Sequence, residues 1–169
     1  EWMRSRGLDR WLRIQHEKGA KVLGICGGYQ MLGEWIEDPH GVESNRRCIE
    51  GLGLLPVTTV MTHEKTTERV AATTANGVSF AAYEIHMGRT DRRAVAGPLT
   101  WVDGRPEGMR MDRVAGSYLH GALENPDVVE EWLGFRPEEA ASKEASYDRL
   151  ADWLEESAGA RVLEKLLGG

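Results

Sequence analysis

Apolar positions recur along this chain in two rhythms. Trp2, Leu8, Trp11, Leu12 and Ile14 fall at roughly helical spacing among charged residues, and Gly19 closes the pattern. Residues 21–25 are a short, continuous apolar run before a Gly-rich turn, which predicts a buried strand. Tyr29, Met31, Leu32, Trp35 and Ile36 then return to helical spacing. Helix, buried strand, helix is the order of an α/β protein with a parallel sheet covered on both faces. Residues 38–50 are polar and read as a loop. Residues 52–60, 68–73, 78–87, 99–102 and 113–119 read as strands, and Asn76-Gly77 is a hairpin signal. Pro126 introduces a helix over 127–133, and two amphipathic helices follow over 147–156 and 161–167. Leu150, Trp153 and Leu154 form one stripe, which predicts a core-facing side.

Composition narrows the class. The 169 residues predict about one domain. With 21 Lys+Arg against 27 Asp+Glu, the formal charge of −6 argues against a nucleic-acid partner, because phosphate contacts need a basic footprint. No run approaches the roughly 20 apolar residues of a membrane span. The charged start has no apolar stretch behind it, so no signal peptide is predicted. Two cysteines, Cys26 and Cys48, are too few for a disulfide scaffold and fit a reducing cytoplasm. The first helical pattern has no strand before it, so an upstream segment is expected to be missing.

The sharpest chemistry lies in Gly24-Ile25-Cys26-Gly27-Gly28-Tyr29-Gln30, a cysteine version of the G-x-nucleophile-x-G elbow. A nucleophile on a tight strand-to-helix turn stands exposed above the sheet, and its neighbours must be small for the turn to close. The next helix aims its positive N-terminus at the sulfur, and the Gly27 amide is placed to meet a developing oxyanion. A cysteine beside a Gly-rich turn can also be an inert core residue; the order strand, elbow, helix favours the nucleophile. A thiol nucleophile needs a base. Of the five histidines, His16 and His40 sit in polar surroundings and read as solvated. His120 ends the run Val114-Ala115-Gly116-Ser117-Tyr118-Leu119, at the sheet edge where α/β proteins bind ligands, and is the first candidate; His86 is the second. The histidines lack metal-ligand spacing and there is no CxxC, so no metal site is predicted.

These residues carry a resemblance. Gly24 to Gln30 is similar to the nucleophile motif of class I glutamine amidotransferases. Tyr83-Glu84-Ile85-His86-Met87-Gly88-Arg89-Thr90 and Gly116-Ser117-Tyr118-Leu119-His120-Gly121 narrow it. With Glu37-Asp38-Pro39, Glu50-Gly51-Leu52-Gly53-Leu54-Leu55-Pro56-Val57 and Glu64-Lys65-Thr66-Thr67, they resemble the C-terminal glutaminase domain of the cobyric acid synthase family. The resemblance covers essentially residues 1–169 and implies a partial glutaminase domain with a flavodoxin-like, three-layer, mostly parallel sheet whose first strand or strands are missing.

The resemblance also implies a mechanism. Cys26 attacks the side-chain amide of glutamine, His120 moves the proton, Gly27 supplies an oxyanion amide, and Gly28 and Gln30 help hold the substrate. No cofactor is implied for this domain. ATP and Mg2+ belong to an N-terminal synthetase domain, the partner that receives ammonia and binds most of the corrinoid. There the b, d, e and g side chains of adenosylcobyrinic acid a,c-diamide are amidated.

Ala122 stands where most class I amidotransferases have a triad Glu, a departure shared with the cobalamin-type branch. The residue that orients His120 is left open, with Glu84 and Glu124 as candidates. The missing upstream loop normally supplies a second oxyanion amide. Two alternatives are the glutaminase domain of cobyrinic acid a,c-diamide synthases, against which the Tyr83–Thr90 run argues, and a truncated, non-catalytic fragment. Tyr83, Glu84, His86 and Arg89 are expected near the mouth of the site or the synthetase interface, and His63, Lys65 and Thr66 in a loop.

Overall fold

In the computed structural model, which describes residues 2–92, 97–137 and 143–158, the first apolar stripe forms two helices rather than one. These are α1 (Trp2–Ser5) and α2 (Leu8–Glu17), separated by Gly7 in the left-handed conformation, φ 70°. Leu12 packs against the core, whereas Trp2, Leu8, Trp11 and Ile14 remain exposed. The predicted buried strand is β1 (Val22–Ile25). It turns directly into α3 (Gly27–Leu32), which is shorter than the periodicity predicts. Trp35 and Ile36 belong instead to β2 (Trp35–Glu37), because backbone pairing to strands on both sides outweighs their helical spacing.

The loop expected over 38–50 contains β3 (Cys48–Glu50). Asp38 organises the rest: its buried carboxylate accepts the amides of Val42, Glu43 and Ser44. Those bonds, the Glu43 amide foremost, hold it below the usual aspartate range.

Two predicted strands, 52–60 and 68–73, are one long strand, β4 (Val57–Thr74), and its hairpin partner is β5 (Ser79–Arg92). Asn76-Gly77 makes the turn, with Gly77 at φ 85°. β4 continues through its polar middle, with pairing resumed at Lys65 opposite Met87 after a register shift from Val60, so His63, Lys65 and Thr66 lie on a strand and not in a loop. Opposite the shift, Gly88 has φ 89°, and a Cβ there would stand 2.8 Å from the Val60 carbonyl oxygen.

The remaining strands are short: β6 (Thr100–Val102), β7 (Arg105–Glu107), β8 (Met109–Met111), β9 (Val114–Ser117) and β10 (Leu119–His120). A single 3-10 turn, Ala122–Glu124, leads to α4 (Pro126–Leu133). Asn125 caps α4 by accepting from the amides of Asp127 and Val128, and Gly134 ends it in the left-handed conformation.

These strands form two sheets. One runs β1-β9-β8; the other runs β10-β5-β4-β2-β3, with β6 and β7 attached to β4. The α/β class predicted from sequence is found, but parallel pairing is confined to β1–β9 and β2–β4. The other named pairs are antiparallel; three of them, β4–β5, β6–β7 and β8–β9, are hairpins closed by tight turns at Gly77, at Asp103-Gly104 and at Asp112, all with positive φ. Two apolar clusters fill the unit. Phe80, Leu99, Leu119, Val128 and Trp132 anchor one; Tyr29, Leu32, Leu55, Val57, Met109 and Tyr118 anchor the other. The first cluster lies along β4, β5 and α4, and the second lies beneath α3.

The chain divides into two compact units, Glu1–Arg136 and Pro137–Gly169. The second contains α5 (Lys143–Ala158), which covers the predicted helix over 147–156. Tyr147, Leu150 and Trp153 are exposed, so the core-facing stripe expected there is not found on the described side chains. The Leu154 side chain is outside what the structure describes, and the predicted helix over 161–167 lies outside the described residues. No described helix is long and apolar enough to cross a membrane.

Candidate active site

The elbow forms where the sequence predicts it. Cys26 sits between β1 and α3 with φ 53° and ψ −116°, a backbone conformation that L-residues adopt only when the surroundings enforce it. The enforcement is visible. Parallel pairing of β1 with β9 ends at Ile25 opposite Ser117, and the Cys26 amide donates to the Ser117 carbonyl at 2.8 Å. On the other side, Gln30 N–H donates to the Cys26 carbonyl at 3.2 Å, the first helical bond of α3. The amides of Gly27, Gly28 and Tyr29 precede that bond and are left to other partners, as at any helix N-terminus.

Small residues matter here for different reasons. A Cβ on Gly24 would stand 2.6 Å from the Gly28 backbone, and one on Gly116 would stand 2.0 Å from the Tyr29 ring. Both positions must be glycine for α3 to lie on the sheet. Gly27 and Gly28 face open space, with nothing within 4 Å of a Cβ, so turn closure demands glycine at Gly24 and not at these two.

The run from Val114 to His120 changes sheets at Tyr118. Val114–Ser117 pairs with β1, whereas Leu119 and His120 pair with Glu84 and Tyr83 of β5. β10 begins opposite Glu84, leaving the edge of β5 beyond Glu84 to the elbow. The Cys26 thiol donates to the Ile85 carbonyl at 3.3 Å, and the Gln30 side-chain amide donates to the Met87 carbonyl at 3.1 Å. Cys26 and His120 therefore abut the same three-residue stretch, 83–85, one through its side chain and the other through backbone pairing.

The two histidine candidates differ sharply. His120 Nε2 is buried without a hydrogen-bond partner among the described residues. Both ring nitrogens of His86 face acceptors: Nδ1 lies 2.9 Å from the Gly88 carbonyl and Nε2 lies 3.2 Å from Glu84. Glu84, one of two candidates to orient His120, thus orients His86. The second acid, Glu124, stands exposed in the 3-10 turn after His120.

Glu84 is buried, and its other partner is the Arg105 guanidinium at 2.7 Å. Hydrogen bonding from His86, aided by Arg105, holds this carboxyl below the usual glutamate range. Beside it, the His86 ring stacks on Tyr118 at 4.0 Å between centroids. Tyr118 meets Gln30 at 3.4 Å and Thr90 at 2.5 Å, and Thr90 meets Thr59 at 2.7 Å. A cavity of about 130 Å³ is lined by Glu84, His86, Arg89, Arg105, Glu107 and Tyr118, among others. Of the residues expected at the mouth, Glu84, His86 and Arg89 line this cavity, and Tyr83 is half-exposed on β5.

Sequence reasoning passed over Glu107. It is buried, and its carboxylate accepts from the Thr100 and Ser117 hydroxyls at 2.8 Å and from the Tyr118 amide at 2.7 Å. It pins the point where the chain crosses between sheets. Desolvation pushes its pKa up, against those three donors. Nothing in the local pattern Arg105-Pro106-Glu107-Gly108 marks it, because its partners are brought by β6 and β9.

Comparison with known proteins places this geometry. Residues 1–128 match the family described as CobB/CobQ-like glutamine amidotransferase domain. Among similar curated proteins, "Cobyric acid synthase" of Jannaschia sp. (strain CCS1) is 46% identical over 157 residues, covering 90% of this chain and 33% of that protein. The protein of the same description from Cereibacter sphaeroides (strain ATCC 17025 / ATH 2.4.3) is 45% identical over 163 residues, covering 91% and 34%. That from Methylobacterium nodulans is 41% identical over 179 residues, covering 98% and 36%. The chain spans about a third of the length of these relatives. A solved structure described as a glutamine amidotransferase aligns with TM-score 0.55 at 20% identity, over 79% of this chain and 71% of that one, which is a likeness of fold.

Proposed function

Because this chain belongs to the CobB/CobQ-like glutamine amidotransferase family, we propose that it is the glutaminase portion of a cobyric acid synthase, releasing ammonia from glutamine through Cys26 and His120. The observation that carries the reading is Cys26 held at φ 53° on a strand-to-helix elbow, beside the strand edge that also holds His120.

Cys26 Sγ attacks the carbonyl carbon of the glutamine side-chain amide, and His120 Nε2 takes the thiol proton. The Gly27 amide, ahead of the first bond of α3, donates to the oxyanion. The carbon–nitrogen bond breaks, His120 returns the proton to the leaving nitrogen, and ammonia departs from a γ-glutamyl thioester. Water, with His120 again as base, hydrolyses the thioester to glutamate and regenerates the thiol. Gln30 and the open face at Gly28 hold the substrate. The ammonia passes to a synthetase portion that activates carboxylates with ATP and Mg2+ and amidates adenosylcobyrinic acid a,c-diamide at b, d, e and g. The family description covers two types of amidotransferase, and the three relatives named above favour cobyric acid synthesis over a,c-diamide formation.

The test is labelling with a diazo-ketone analogue of glutamine, read by peptide mass spectrometry, with Cys26→Ser as control. The expected result is an adduct on Cys26, with the exposed Cys48 unlabelled. A folded chain that takes no adduct on Cys26 would overturn the reading.

A further inference from the structure

We propose that His86 is a positioning residue for glutamine binding: it holds Tyr118, and Tyr118 fixes the Gln30 amide so that the Gln30 side-chain oxygen faces the substrate. This rests on the glutaminase reading of the same site.

The argument begins with polarity. The Met87 carbonyl can only accept, so the Gln30 atom 3.1 Å from it is the NH2 group. The same nitrogen lies 3.4 Å from the Tyr118 hydroxyl, which therefore accepts at its oxygen. The Tyr118 proton then goes to Thr90, at 2.5 Å, and the Thr90 proton to Thr59, at 2.7 Å. The chain has one direction, Gln30 to Tyr118 to Thr90 to Thr59, and such chains reinforce one another. Both N–H groups of Gln30 are spent on the protein, and Oε1 remains as an acceptor. Cys26 and Gln30 reach the same strand, at the Ile85 and Met87 carbonyls, so the two side chains lie on one side of the elbow. A ligand group beside Oε1 must be a hydrogen-bond donor. Glutamine has two, its side-chain amide and its ammonium group, whereas a carboxylate oxygen placed there is repelled.

The chain of hydroxyls works only if Tyr118 is still. Its ring is clamped by Tyr29, edge-on at 5.2 Å, and by His86, stacked at 4.0 Å. His86 is itself fixed at both ring nitrogens, by Gly88 and Glu84. The strand segment 84–88 thus supplies three things at once. Ile85 takes the Cys26 thiol, Met87 takes Gln30, and His86 backs the tyrosine that Gln30 also needs. His86 touches no reacting atom; it acts through Tyr118.

Two variants test this. Tyr118→Phe removes only the hydroxyl, and His86→Phe keeps a flat ring but loses both nitrogen contacts. Glutamine hydrolysis gives kcat and KM. Alkylation of Cys26 by iodoacetamide reports the thiol without using the glutamine pocket. The expected result is a KM raised roughly three- to tenfold, the loss of about one hydrogen bond, with kcat and alkylation rate within twofold of the parent chain. Unchanged KM in both folded variants overturns the proposal. So does a KM change matched by kcat and alkylation, which would mark general damage to the site. If the parent chain hydrolyses no glutamine, the glutaminase reading fails separately. The side-chain amide resonances of Gln30, assigned with Gln30→Asn, then decide the clamp itself: they shift in Tyr118→Phe if the contact holds, and unshifted resonances overturn it.

Discussion

Glu84 and His86, two residues apart on β5, meet at 3.2 Å, and Arg105 closes on the far side of the same carboxylate at 2.7 Å. This contact separates the two histidines of the site. It gives Glu84 to His86, so His86 is held at both nitrogens, whereas His120 Nε2 is buried with no partner among the described residues. A base needs a free lone pair within reach of the proton it takes. Under the proposed mechanism proton transfer falls to His120 and support to His86, and each role has a measurable consequence.

Replacing His120 by Ala is expected to lower kcat for glutamine hydrolysis by about 10²–10⁴, the usual contribution of a positioned base, while KM changes little. His86→Phe is expected to do the reverse, raising KM and sparing kcat. Steady-state kinetics on both variants checks the pair. Equal losses in kcat would refute the division of labour.

The elbow was readable from sequence because most of its constraints are local. Gly24 abuts Gly28 four residues later, and the nucleophile sits between them, so one short motif contains much of the steric requirement; the match of Gly116 to the Tyr29 ring comes from β9. The β4–β5 turn was readable for the same reason, through Asn76-Gly77. The length of β4 was not, since its polar middle from Thr62 to Glu68 carries no apolar rhythm and is held by the cross-strand pairing of Lys65, Thr66 and Thr67 to Met87, His86 and Ile85. β2 was read as helix because Trp35 and Ile36 continue the spacing of α3, and only pairing with β3 and β4 decides otherwise. Glu107 and Arg105 were invisible, as their partners lie on other strands. Local chemistry was legible; contacts assembled by tertiary pairing were not.

Gly24→Ala tests the elbow as a packing device. Its Cβ would stand 2.6 Å from backbone atoms of Gly28 and 2.7 Å from Leu32. Backbone cannot yield as a side chain tip can, so α3 must lift from the sheet. Overpacking of this kind costs about 1–3 kcal/mol, or a drop of several degrees in Tm for a domain of this size. The expected result is that lower Tm together with loss of Cys26 labelling by the glutamine analogue. Gly27→Ala, whose Cβ meets nothing within 4 Å, is expected to keep the parent Tm. Thermal melts of the two variants side by side check the contrast.

Glu107 should give the fold an unusual response to pH. Burial raises its pKa above the ordinary glutamate value of about 4.5, so in the interval between the two values the native state holds a proton that the unfolded state has lost. Stability contributed by this group is then greatest below pH 4.5 and falls as pH rises through the native pKa. Glu84 has the opposite sign. Its carboxyl is held below the ordinary value by His86 and Arg105, so its contribution is present above pH 4.5 and is lost as pH falls through the native pKa. Glu107→Gln should remove the decline on the alkaline side while leaving the acid-side loss in place. An amide can still accept from the Tyr118 amide and donate to the Thr100 and Ser117 hydroxyls, which rotate to suit. Glu107→Ala leaves three donors without an acceptor and should cost about 2–4 kcal/mol at neutral pH. Urea unfolding between pH 4 and 8 measures all three proteins. A Glu107→Gln curve with the same alkaline decline as the parent would mean that another buried group sets the slope.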